Sequence, residues 1–196
     1  MEYYPEKKEI KLNRVPSELD KFVIDFCNLL DSYVLVSGYV SIIFGRSRAT
    51  EDVDLLIPKM NFDSFKNLWK KIHSSGFECL NTSIPEDAFE MVKEHNIRFS
   101  RIGKPLPNME FKLIEDEIQE YSFKNKLKVL FNKQTLYISS LEMQIAYKLM
   151  LGRSGNKKDI EDAKHIYELF KEKLNNPELL KLIEDLDVKK EFKLIK

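Results

Sequence analysis

The stretch Val36-Ser37-Gly38-Tyr39-Val40, followed by Phe44-Gly45-Arg46-Ser47-Arg48-Ala49-Thr50-Glu51-Asp52-Val53-Asp54-Leu55-Leu56-Ile57, decides how this chain is read. It sets a small, hydroxyl-bearing turn just upstream of two carboxylates spaced i, i+2. If residues 52–57 form a strand, alternation sends Asp52 and Asp54 to one face and Val53, Leu55 and Ile57 to the other. The two acids then root roughly 7 Å apart, close enough to converge on one or two hard cations. Without a cation they repel by about 3 kcal/mol at ~5 Å and an effective dielectric of ~20. An Asp-x-Asp pair alone is as readily a solvated edge as an ion site, and the residues ahead of it tip the reading toward the ion.

Each of those residues has a physical use. Gly38 lets the backbone come close to a phosphate chain and present its N–H groups, and Ser37 offers a hydroxyl to the same oxygens. Tyr39 to Phe44 is short and apolar and reads as a helix whose start faces the phosphates. Arg48 supplies positive charge, and Thr50 stands just before the acids.

The segment resembles the signature of the nucleotidyltransferase superfamily that includes DNA polymerase beta and the minimal nucleotidyltransferases. There a strand ends in a Gly-Gly or Gly-Ser pair, a short helix follows, and an Arg-x-Thr-x-Asp-x-Asp strand closes the motif. Ser37 and Gly38 stand at the small pair, Gly45 and Arg48 in the linking loop, and Asp52 and Asp54 at the metal positions. Ser37 and Val40 depart from the usual glycine and alanine. The resemblance implies Mg²⁺ held by Asp52 and Asp54, with Ser37, Gly38, Arg48 and Thr50 binding an NTP such as ATP. It also implies a third carboxylate on a neighbouring strand, for which Glu110 is the candidate. In Met109-Glu110-Phe111-Lys112-Leu113-Ile114, Glu110 and Lys112 share the face opposite Met109, Phe111 and Leu113.

A second resemblance covers Leu141 to Lys148, Gly152-Arg153 and Lys158-Asp159-Ile160-Glu161-Asp162. It is similar to the later motifs of the AbiEii-type branch, which includes toxins of toxin–antitoxin pairs, and it implies that Lys148 holds a phosphate and Asp159 acts near the metal or acceptor. The bland alternatives are a solvent-facing Lys148 and an Asp159 that merely favours a first helical turn.

At 196 residues the chain is long enough to bury about 70% of its unfolded surface without a covalent staple. Hydrophobic residues make up 43% and charged residues 33%, a globular composition, and the net charge of zero argues against tight non-specific nucleic-acid binding. Cys27 and Cys79 lie among apolar neighbours and read as free thiols of a reducing compartment. With no apolar run near ~20 residues, a cytoplasmic protein without membrane contact is expected.

Alternating apolar periods predict helices from Ser17, from Asn61 to Gly76 and over 85–94, and strands over 33–36, 52–57, 77–82, 97–102 and 109–114. A hairpin is expected around Asn132-Lys133, with Lys124, Lys126 and Lys128 striped along an exposed edge. From Ser140 only helices are expected: 141–151, 158–174 and 177–193. The fold class is therefore α+β, a mixed-sheet nucleotidyltransferase-like core over 1–139 flanked by helices, with a helical region over 140–196. The acceptor stays open among RNA or tRNA, a protein hydroxyl and a small molecule, and an antitoxin partner follows only from the second resemblance. The rival reading is a non-catalytic nucleotide-binding or interaction module.

Overall fold

Residues 52–57 form the strand their alternation predicts, and the rest of the molecule is arranged around it. The computed structural model describes residues 1–196. In chain order its first half contains β1 (Glu2–Tyr4), β2 (Glu9–Leu12), α1 (Glu18–Cys27), β3 (Val34–Leu35), α2 (Gly38–Ile43), β4 (Asp52–Ile57), α3 (Phe62–Ser74), β5 (Phe77–Cys79) and α4 (Pro85–Glu94). The second half contains β6 (Ile97–Arg101), β7 (Lys104–Leu113), α5 (Glu117–Lys124), β8 (Leu127–Phe131), β9 (Gln134–Ile138) and helices α6 (Leu141–Gly152), α7 (Lys157–Phe170), α8 (Asn176–Asp185) and α9 (Lys189–Phe192).

The nine strands make one mixed sheet in the order β1-β2-β8-β9-β3-β4-β7-β6-β5. The pairs β2–β8, β3–β9 and β4–β7 are parallel and the others antiparallel. Parallel pairing of β4 with β7 matters most, because it sets Asp52 opposite Asn108, Asp54 opposite Glu110 and Leu56 opposite Lys112. On the other face Val53, Leu55 and Ile57 lie beside Met109, Phe111 and Leu113 and join a buried cluster of 48 residues. Phe26, Phe65, Trp69, Phe99 and Phe111 meet there edge to face or tilted, with ring centroids 5.6–6.5 Å apart. The same cluster continues through Leu149, Ile166, Leu182 and Ile195, so the helices beyond Ser139 share this core.

Local chemistry explains most element ends. Ser17 and Asp20 form a reciprocal capping box at the start of α1, and Asn61 caps α3. Asp20 is fully buried and joins three segments: Arg14 donates to it at 2.6 and 3.0 Å, Ser17 N–H and Oγ at 2.7 Å each, and Tyr39 Oη at 2.9 Å. Burial alone raises the pKa of Asp20, but Arg14 and Ser17 outweigh it and hold the carboxyl below the ordinary range. Because the folded pKa is the lower one, this contribution to stability is present above about pH 4 and is lost as pH falls toward the depressed value. Asp20→Ala is expected to cost about 3 kcal/mol in urea unfolding at pH 7, with a much smaller difference from wild type at pH 2. A cost under about 1 kcal/mol at neutral pH would remove Asp20 as an anchor.

Four expectations need correction. The N-terminal strands β1 and β2 and helix α5 were not anticipated, although Asp116 and Gln119 carry a capping signal at the start of α5: the Asp116 side chain accepts from Gln119 N–H, and Glu115 N–H donates to Gln119 Oε1. The lysine stripe does not exist, because β8 is interior, paired with β2 and β9. Lys124 ends α5, Lys126 packs on Phe123 and reaches Ser32 and Tyr33, and Lys128 pairs with Glu9. The helix expected over 158–174 ends at Phe170. The last predicted helix is two, α8 and α9, because Asp187 takes a left-handed conformation (φ 53°) while Arg153 donates to the carbonyls of Leu186 and Asp187.

Candidate active site

Three strands present a ladder of polar side chains on the face away from the aromatic core. Asp54, Glu110 and Arg98 stand in one cross-strand row on β4, β7 and β6, and Asp52, Asn108 and Ser100 in the next. Arg98 donates to Glu110 Oε1 at 2.7 Å. Lys112 Nζ lies 2.8 Å from Asp54 Oδ1 and 2.9 Å from Glu110 Oε2. Burial pushes the Asp54 carboxyl above the ordinary range, against the pull of Lys112. Glu110 goes the other way, because Arg98 and Lys112 overcome its burial and hold it low. Desolvation would lower Lys112, but Asp54 and Glu110 keep its ammonium charged well above the usual lysine range.

Asp52 has no cationic partner within ion-pair distance. Thr50 Oγ1 lies 2.8 Å from the Asp52 carbonyl and 3.3 Å from Asp52 Oδ1, so Thr50 orients the first acid. Asn108 Nδ2 donates to Glu51 O, which leaves Asn108 Oδ1 buried without a donor beside Asp52. Two carboxylates and an unpartnered amide oxygen are the donors a hard divalent cation uses, so the Asp52–Asp54 side fits Mg²⁺. Glu110 does not complete a three-acid cage: no group of three acidic, histidine or cysteine side chains converges closely enough to hold an ion.

The small-residue turn sits at the mouth of this ladder. Ser37 adopts φ 61°, ψ −131°, a conformation that suits glycine and is held here by Gln144. Gln144 Nε2 donates to Ser37 O at 2.6 Å and Gln144 Oε1 accepts from Ser37 N–H at 3.1 Å, so that N–H is already partnered. Gly38 gives room to a neighbour, since a Cβ there would fall 2.8 Å from Nη2 of Arg48 and push the guanidinium aside.

Arg48 belongs to a buried charge cluster that ties this turn to α6 and α7. Asp162, fully buried, accepts from Arg46 Nε at 2.6 Å and Arg48 Nη1 at 2.5 Å and has Lys148 Nζ at 3.2 Å. Lys148, with 2% of its side chain exposed, also pairs with Asp159 at 2.5 Å. Asp159 accepts from Asn156 as well. The sequence-predicted residues therefore fall into two adjoining sets, Asp52–Thr50–Asp54–Glu110 on the sheet and Gly38–Arg48–Lys148–Asp159 at the helices. Arg98, Lys112, Gln144 and Asp162 were not singled out. Lys112 is on the right face by alternation, two residues from Glu110, and Asp162 is within a quoted motif, but Asp54 is distant in sequence from Lys112, as Arg46 and Arg48 are from Asp162.

Between the sheet ladder and the helices is a cleft of about 260 Å³ lined by Ser37, Asp54, Lys112, Gln119, Gln144 and Tyr147, among others. A larger, more open hollow of about 600 Å³ at Glu18, Asp25, Arg101 and Lys104 includes neither acid. The smaller cleft is thus the one that reaches Asp54.

No protein-family model matches the sequence, and no match was found among curated proteins. Solved structures do match. A crystal structure of an antigenic nucleotidyltransferase-like protein from Paracoccidioides brasiliensis superposes with a TM-score of 0.53 at 17% identity, covering 87% of this chain and 88% of that one. The structure of ANT(2″)-Ia in complex with adenylyl-2″-tobramycin gives a TM-score of 0.55 at 12% identity, covering 86% and 95%. These likenesses establish the nucleotidyltransferase-like fold.

Proposed function

We propose that this protein transfers a nucleoside monophosphate from an NTP to an acceptor hydroxyl, with Mg²⁺ held by Asp52 and Asp54. The observation that carries this reading is the adjacency of the Asp52–Asp54 pair, the Ser37–Gly38 turn and a cleft that takes in Ser37 and Asp54 together. The acceptor hydroxyl gives up its proton to solvent as its oxygen attacks the α-phosphorus, the bond to the β-phosphate bridging oxygen breaks, and pyrophosphate leaves. Mg²⁺ supplies Lewis-acid stabilisation of the oxygens that gain charge. The Ser37 hydroxyl lines the path of the triphosphate, and Arg48, lying against the buried Gly38, offsets its charge. Thr50 aims Asp52 rather than touching nucleotide. Lys148 and Asp159 act through Asp162, keeping Arg48 in place, and Glu110 acts through Lys112.

The acceptor is an RNA or tRNA end, a protein hydroxyl or a small molecule. The Lys148 and Lys158–Asp162 motifs support the AbiEii-type branch, and with it a cytoplasmic toxin role and a cognate antitoxin. No helix is long and apolar enough to cross a membrane. Glu110, its charge already taken up by Arg98 and Lys112, favours one rival, a module that binds nucleotide without turnover. Incubation of the protein with each labelled NTP, Mg²⁺ and RNA, protein and metabolite pools separates the two. Transfer to one pool, absent in Asp52→Ala, is the expected outcome; nucleotide binding with no labelled product in any pool would establish the module.

A further inference from the structure

Lys112 occupies an unusual place for a lysine. Its ammonium lies 2.8 Å from Asp54 and 2.9 Å from Glu110, between two carboxylates that are direct neighbours across β4 and β7. Two acids at that register repel unless a cation sits between them, and here the cation is covalently part of the chain. The side chain of Lys112 is two-thirds buried, so its charge is partly shielded from screening by salt. Glu110 is further satisfied by Arg98, whereas Asp52, on the other side of Asp54, has no cationic partner within ion-pair distance.

We propose that Lys112 is a resident substitute for a divalent ion on the Asp54–Glu110 side, so that the protein alone binds one divalent ion, at Asp52 and Asp54, and Glu110 holds the lysine instead of a metal. This rests on the assignment of Asp52 and Asp54 as metal ligands. The chemistry follows from charge and reach. An ammonium donates to both carboxylates without dissociating, but it offers no open coordination position and no Lewis-acid site. Removing it frees a carboxylate pair of the kind that captures hard cations.

The test is Mn²⁺ binding to the nucleotide-free protein, counted by electron paramagnetic resonance of free Mn²⁺, for wild type, Lys112→Met and Asp52→Asn/Asp54→Asn. The expected counts are one ion for wild type, two for Lys112→Met and none for the double variant. Two ions in wild type, or one in Lys112→Met, overturns the substitution by lysine while leaving the Asp52–Asp54 assignment standing. An undiminished count in the double variant, or none in wild type, overturns that assignment and the proposal with it. Thermal melting covers the case in which Lys112→Met is too unstable to titrate. Saturating Mn²⁺ should then raise its midpoint by more than it raises that of wild type, and equal increments would contradict the proposal.

Discussion

Asp54→Asn is expected to lower nucleotidyl transfer by on the order of 100-fold or more with the fold intact, measured as the rate of labelled product formation at saturating Mg²⁺. The substitution keeps the shape of the side chain and removes its charge. Asp54 is the acid at which the site's parts meet: it lines the cleft, its Oδ1 binds Lys112, and it stands in register with Glu110. Loss of the carboxylate removes the proposed metal ligand and leaves Lys112 to Glu110 alone. Stability should change little, because the desolvation cost of the buried Asp54 charge disappears with that charge and Lys112 keeps Glu110 as its partner. A variant that keeps transfer within a few-fold of wild type would place the metal elsewhere.

Asp162→Ala is expected to destabilise the protein by about 3–5 kcal/mol, read from urea unfolding, because it strips a fully buried carboxylate from three cations at once. Arg46 retains the exposed Glu161 and Lys148 retains Asp159, whereas Arg48 has no other acidic partner. Loss of Asp162 therefore frees Arg48 from its seat against Gly38, so transfer should fall with stability even where the variant remains folded. Asp162→Asn keeps the shape but only one of the two acceptor oxygens, since its NH2 replaces an oxygen that faces a cation, and its cost should lie between wild type and the alanine variant. A cost below about 1 kcal/mol for the alanine variant would reduce the cluster to a set of independent surface pairs.

How far the sequence carried these conclusions depended on the range of the interactions involved. Strand β4, helix α4 and helix α3 with its Asn61 cap follow from alternation, helical spacing, a proline in the first turn and a capping asparagine, all signals within a few residues. The placement of Asp52 and Asp54 on one face needed only the pleat of a strand. Strand β2 is only four residues long and is paired on one side with the three-residue β1 and on the other with β8, more than a hundred residues later, so little local pattern marks it. Similarly, Lys148 read as a phosphate ligand because nothing local announces that its charge is spent on Asp159 and Asp162.

Gly152 shows the same division. It stands just past the helix expected over 141–151, and α6 ends there, but its lack of a side chain is also a packing requirement. A Cβ at Gly152 would fall 2.3 Å from Cδ1 of Ile160, so the close seating of α7 on α6 depends on it. That seating carries Asp159 and Asp162 to Lys148. A turn signal thus also encoded a tertiary contact, legible only with both helices in place.

Parallel reactions with α- and γ-labelled NTP in the presence of Mg²⁺ decide whether, as proposed, a site built on Asp52 and Asp54 moves the α-phosphoryl group of an NTP. Label should reach the acceptor from the α position only, the γ label should appear as pyrophosphate, and both products should vanish in Asp52→Ala. Acceptor labelled from the γ position, or α-label transfer that persists in Asp52→Ala, would contradict the proposal.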